Sequence, residues 1–158
     1  MEVLNHEASD ELAVHELVAR FSDAVNRRVP SEMAALWAPD GVWVVPGVPE
    51  TVGRDAIAAV LTSLLETFPS LVQMTHNGVV RIDGDEATAR WYLSEFGKDA
   101  SGQGVYFIGT YHDRYRRTEE GWRFAHRRFD FLYRGKTEAP GKFYPYPEVT
   151  FEGAPWPA

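Results

Sequence analysis

Between residues 71 and 133 the chain offers four long extended runs with only short polar connections between them. The runs are LVQMTHNGVVRI, EATARWYLSEF, VYFIGTYHDRYRR and WRFAHRRFDFLY. They are separated by Asp83-Gly84-Asp85, by the polar loop KDASGQG and by Thr118-Glu119-Glu120-Gly121. Connections this short join antiparallel neighbours, because a parallel crossover needs a dozen or more residues. Three helical segments precede the strands. Val14, Leu17, Val18, Phe21 and Val25 share one face of a first helix, which Ser9 or Asp10 would cap and which ends near Asn26-Arg27-Arg28. Pro30-Ser31 opens a short second helix, SEMAALW, that Pro39-Asp40-Gly41 stops. VWVV at 42–45 reads as a short strand before the turn PGVPETVG. Residues 54–68 place Ile57, Val60, Leu61, Leu64, Leu65 and Phe68 on one face of a third helix, and Pro69 ends it. Helices followed by a series of antiparallel strands give an α+β fold, with the helices against one face of a curled sheet.

Asn77-Gly78 leaves two readings of the first run. Asn-Gly is a strong hairpin signal, which would put His76 at the mouth of a turn. A hairpin there would leave only VVRI before the turn at 83–85, short against the usual strand of about five to six residues. One continuous strand with a bulge or bend near Gly78 keeps the sheet long and is favoured. His76 then sits just before a bend that can re-aim a side chain.

Composition closes off several classes of function. Sixteen basic against 23 acidic residues give a net charge of −7, the wrong sign for gripping nucleic-acid phosphates. There is no cysteine, hence no disulfide, thiolate metal site or cysteine nucleophile. The remaining histidines, His6, His15, His112 and His126, show no metal-ligand spacing, and phosphate-cradling glycine loops and a nucleophile elbow are absent. No apolar run approaches the roughly 20 residues that span a membrane, and the acidic start MEVLNHEASDEL lacks the features of a signal peptide. The expectation is a cofactor-free, metal-free cytoplasmic protein that binds neither nucleic acid nor membrane.

MTHNGVVRIDGDEATARWYLSEF and GTYHDRYRRTEEGWRFAHRRFDFLY resemble the strand core of the nuclear transport factor 2-like fold. The closer similarity is to its SnoaL-like branch, which includes scytalone dehydratase, bile acid 7α-dehydratase and hexachlorocyclohexane dehydrochlorinase. The resemblance covers roughly residues 10–135, and it rests also on the APDGVW turn and Gly-Trp-Arg-Phe-x-x-Arg. It implies a cone: a curved antiparallel sheet wrapped around the N-terminal helices and enclosing an apolar pocket. Residues 1–135 would form this single domain. Residues 136–158, rich in proline and aromatics, would pack on it as a lid or a dimer strap. The outer sheet face commonly pairs in this fold, so the resemblance also implies a homodimer.

In the eliminating members a histidine on the strand matching 71–82 acts as base, and His76 matches that position. An aspartate near the end of helix 1 orients it, and the matching residue here is Asn26. Phe21 stands where the dehydratases often carry a tyrosine. Arg127 falls at a functional arginine of the dehydrochlorinase, while Tyr111 and Asp113 lie on a strand that lines the pocket.

A histidine near its ordinary pKa of about 6.5 suits removal of a proton beside a carbonyl or leaving group. Asn26 offers orientation without charge, so Asp23, one helical turn earlier, and Asp113 are the candidate acids. Strand alternation puts Tyr111, Asp113 and Tyr115 on one face. A buried Asp113 needs a partner, which Arg127 on the next strand can supply, in a structural or a catalytic role. Phe21, Trp43, Phe68, Trp91 and Leu93 are the expected substrate-binding walls, suited to a small hydrophobic, aromatic or polycyclic molecule. The reaction expected is a dehydratase-like elimination. An isomerase or cyclase using the same His76, and a ligand-binding dimer without catalysis, are the alternatives.

Overall fold

A computed structural model describes residues 2–147, with side chains from residue 6 onward. Helix α1 runs Glu2–Arg27, α2 Pro30–Ala35 and α3 Arg54–Thr67. The strands are β1 Trp37–Val44, β2 Thr51–Val52, β3 Ser70–Asp83, β4 Glu86–Lys98, β5 Gly104–Thr118 and β6 Gly121–Thr137. They form one curved, unclosed sheet in the order β2-β1-β6-β5-β4-β3. The four long strands are antiparallel to one another, but β1 lies parallel to β6. The sheet is therefore mixed, a departure from the purely antiparallel expectation, because the chain reaches β6 again only after the whole meander.

The apolar face of α1 packs into the concave side of the sheet, and Val14, Leu17, Val18, Phe21 and Val25 are all buried. Neither Ser9 nor Asp10 caps this helix, which begins earlier. Asp10 instead accepts hydrogen bonds from Arg117 Nη2 at 2.7 Å and Trp122 Nε1 at 3.1 Å, tying the helix to the β5–β6 end. Pro39-Asp40-Gly41 does not separate a helix from a strand either. The extended chain begins at Trp37 and passes through the proline at a register shift between Trp37 and Val42, where a missing ladder donor is tolerated.

β3 is one strand. Its pairing with β4 jumps from Thr75↔Leu93 to Gly78↔Trp91, so His76 and Asn77 together face the single residue Tyr92. That is a β-bulge, and it changes which residues point inward. Gly78 is required there: a Cβ would lie 2.2 Å from the Trp91 ring and 2.7 Å from the Arg90 carbonyl oxygen. β6 has a comparable irregularity, since Gly109 pairs with Phe131 while Ile108 pairs with Tyr133, leaving Leu132 as the extra residue.

β6 runs on to Thr137. Beyond it, Phe143 lies with its ring centroid 5.4 Å from that of Phe96, on the outer face of β4. The remainder of the expected lid or strap lies outside the described residues. Among the described residues no helix is long and apolar enough to cross a membrane.

Candidate functional site

Helix α3, the loop after β1 and the wide end of the sheet enclose a cavity of about 290 Å³. Its walls are mainly apolar, with Phe21, Trp43, Phe68, Phe107, Phe129 and Phe131 among them. Gln73, Glu95, Tyr111 and Arg134 also line it. The register explains how three of these meet. Gln73 on β3 pairs with Glu95 on β4, and Glu95 pairs with Phe107 on β5. Tyr111 faces the same side four residues further along β5.

Gln73 is the hub. Its Nε2 donates to Glu95 Oε1 at 2.8 Å and to the Tyr111 hydroxyl at 3.2 Å. Its Oε1 accepts from Ser22 Oγ at 3.0 Å, and Ser22 Oγ lies 2.6 Å from Thr75 Oγ1. With Ser22 donating to the glutamine, Thr75 donates to Ser22, so the chain of donors runs in one direction toward the cavity. Asn26 fixes the backbone of the hub: its Nδ2 donates to the Gln73 carbonyl and its Oδ1 accepts the Gln73 N–H, both at 2.8 Å.

Two polar valences of this cluster remain open. Tyr111 accepts from Gln73, and its own hydroxyl proton has no acceptor among the described residues. Glu95 Oε2 likewise has no partner there. Burial pushes the Glu95 carboxyl pKa up, with the Gln73 hydrogen bond opposing it weakly. Burial also pushes the Tyr111 hydroxyl up, so that group remains a donor. The cavity thus holds a carboxyl group whose proton affinity is raised by burial and a hydroxyl with a proton free to hold an oxygen atom.

The expected residues divide into those brought to the cavity and those kept from it. Tyr111, Phe21, Trp43 and Phe68 line it. His76 does not. Its ring is exposed, with Nε2 2.8 Å from Ser94 Oγ, and it borders a separate surface depression with Leu12, His15 and Glu16. The physical cause is strand phase: His76 alternates outward from Gln73 and Thr75, and the bulge breaks the alternation from Gly78, Val80 and Ile82 that would have turned it inward. Asn26 has spent its side chain on the Gln73 backbone and does not touch His76. Asp23 sits at the surface with Arg27 Nε, 2.8 Å away.

Asp113 and Arg127 pair as the strand phase requires, but they are sealed beneath the cavity rather than lining it. Arg127 is 0% exposed and Asp113 3%. Arg127 Nε and Nη2 reach the two Asp113 oxygens at 2.9 and 2.8 Å. Tyr115 donates to Asp113 at 2.5 Å and accepts from Trp91 Nε1 at 2.8 Å. The guanidinium carbon stands 3.8, 4.1 and 4.6 Å from the ring centroids of Tyr111, Phe124 and Phe21. Trp91 and Leu93 belong to the packed core, not to the cavity wall.

Sequence reasoning missed Gln73, Glu95 and Arg134. Glu95 was within reach of it, standing two residues beyond Leu93 on the strand face that already carries Trp91. The phase of Gln73 depends on the bulge expected near Gly78 and found there, and that of Arg134 on one at Leu132 that the residues do not announce.

The family model of the SnoaL-like domain matches residues 6–128. The chain belongs to the SnoaL-like family. An uncharacterized protein of Mycobacterium tuberculosis strain H37Rv is 32% identical over 126 residues, which cover 77% of this chain and 84% of that protein. Among solved structures, a suggested aromatic ring hydroxylase of Novosphingobium aromaticivorans is 26% identical with a TM-score of 0.76, covering 82% of this chain and 94% of its own. A hexachlorocyclohexane dehydrochlorinase of Novosphingobium barchaimii superposes with a TM-score of 0.78 over 91% of this chain and 99% of its own. At 18% identity that is a likeness of fold. SnoaL-like membership fits a domain that takes small hydrophobic molecules.

Proposed function

We propose that the protein is a lyase, working without a cofactor, that eliminates water from a small hydrophobic ring compound, with Glu95 as the proton-transferring group. The observation that carries this reading is the half-free Glu95 carboxyl in an apolar cavity, its pKa raised by burial. A carboxyl with a raised pKa serves as general base in one form and general acid in the other. In the reaction the Glu95 carboxylate takes a proton from the carbon next to the one bearing the hydroxyl. The C–H electrons form the double bond, the C–O bond breaks, and the neutral acid returns the proton to the departing oxygen as water. The Tyr111 hydroxyl holds that oxygen throughout. The likeness to a suggested aromatic ring hydroxylase supports a ring-shaped substrate.

The test is to incubate the protein with cyclic β-hydroxy ketones and follow loss of water by mass spectrometry. Glu95→Gln should lower turnover by about a hundredfold or more, the usual worth of a positioned acid or base. His76→Gln should leave turnover within about twofold, since it lies off the cavity. Unaltered turnover in the first variant, or its collapse in the second, contradicts the assignment.

A ligand-binding module without catalysis is the second reading, favoured by one observation. Asn26, at the position of the family's charged partner, is wholly engaged with backbone. Ring compounds that bind and are recovered unchanged would support it. Under both readings we propose a homodimer through the outer sheet face, where Val72, Met74, Tyr92 and Tyr133 are exposed. A monomeric mass by light scattering would refute it.

A further inference from the structure

Arg134 stands apart from most of the arginines. Arg27, Arg116, Arg117, Arg123, Arg127 and Arg128 each pair with a carboxylate, as expected in a chain with 23 acidic residues. Arg134 has no ion pair and no side-chain hydrogen bond among the described residues, yet it lines the cavity. The bulge at Leu132 puts it there, because Phe129 and Phe131 face inward and one extra residue brings Arg134 into the same phase.

Its surroundings shape how it can act. The guanidinium carbon lies 5.3 Å from the Phe131 ring centroid and 5.9 Å from that of Phe107. Aromatic rings engage the face of a guanidinium and leave its N–H edges unspent. Those edges form the fork that matches a carboxylate with two parallel hydrogen bonds. Arg134 pairs with Phe107, which pairs with Glu95. The two polar groups are thus two strand spacings apart, about 10 Å, with an aromatic ring between them. Glu95 does not pair with Arg134 across that gap; its Oε1 accepts from Gln73 Nε2 instead.

We propose that the cavity takes a ring compound bearing a carboxylate, with Arg134 as the anchor for that anion. The ring body lies over Phe107 and Phe131, and the oxygen function to be processed reaches Glu95 and Tyr111. This rests on the ring-ligand reading above and adds the charge and polarity of the substrate.

The test uses two isosteric probes, 2-naphthoate and 2-naphthamide, which differ in charge but hardly in shape. Isothermal titration calorimetry on the full chain should show naphthoate bound about tenfold or more tighter, the scale of a charge-assisted hydrogen-bond pair. Arg134→Gln should reduce that preference to within about twofold, while Arg134→Lys keeps part of it. Near-UV circular dichroism checks that the variants retain their packing. Naphthamide binding with no preference for naphthoate, or a preference that survives Arg134→Gln, overturns the anchor alone. Failure of both probes to bind overturns the ring-ligand reading and the anchor with it.

Discussion

Two polar clusters occupy the same concave face of the sheet, a few residues apart on the strands, and they have opposite characters. In the lower one, Arg127, Asp113, Tyr115 and Trp91 satisfy one another almost completely, and the two charged residues are out of reach of solvent. In the upper one, Ser22, Gln73, Glu95 and Tyr111 form a directed chain that ends with two unspent valences facing a cavity. The lower cluster contains the charge that a search for catalytic residues finds first. Its one open donor, Arg127 Nη1, is buried, so the cluster has nothing to offer a ligand. Chemistry belongs where polar groups are held in place yet left incomplete.

The widest separation between the clusters should appear on breaking the sealed pair. Asp113→Ala leaves Arg127 charged and buried without its counterion, at a cost of about 3–5 kcal/mol. For a chain of this size that lowers Tm by roughly 10 °C or more, as read by calorimetry. A loss below about 1 kcal/mol would mean the pair is not the structural element described here. Glu95→Gln should behave the opposite way, with turnover down about a hundredfold and folding intact.

Gly78→Ala comes next in size. Its Cβ would stand 2.2 Å from the Trp91 ring, and overpacking of that kind costs about 1–3 kcal/mol. Because the bulge sets the inward phase of Gln73, the variant should also weaken ligand binding in the cavity. Denaturant unfolding and a 2-naphthoate titration check the two effects together.

A smaller effect lies in the pH dependence of stability. Glu95 has a raised pKa in the folded protein, so the folded state holds that proton more tightly than the unfolded chain. Its contribution is fully present below the unfolded value of about 4.3 and is lost as pH rises through the folded value. Wild type should therefore lose stability relative to Glu95→Gln between acidic and neutral pH. A difference in Tm that is constant across that range would contradict the burial argument. His76→Ala is the smallest change, within about 0.5 kcal/mol, because its one bond to Ser94 is made by an exposed ring.

The sequence made the architecture legible because length and periodicity govern it. Four long runs joined by tight turns leave little choice but a meander, and the apolar face of α1 must find it. The inward trio Tyr111, Asp113 and Tyr115 followed from alternation along β5, a strand in which each residue keeps its phase. β3 gave no such help. Val72 and Met74 are apolar and face out, while the polar Gln73 faces in, so hydropathy points the wrong way. The bulge at His76 and Asn77 then resets the phase, and a histidine matched by position to a catalytic base ends outside the cavity. β6 repeats the lesson at Leu132, which turns Arg134 inward. Asn77-Gly78 marked the first bulge, but which residues a bulge turns inward follows from pairing between strands, and that information is not local to either strand.

The most direct measurement is the ionisation of Glu95 itself, followed by carbon NMR of glutamate side-chain carboxyls, with the Glu95→Gln spectrum supplying the assignment. A midpoint above the ordinary value of about 4.3, moving when 2-naphthoate enters the cavity, is the expected result. A midpoint at or below that value, indifferent to the ligand, would contradict it.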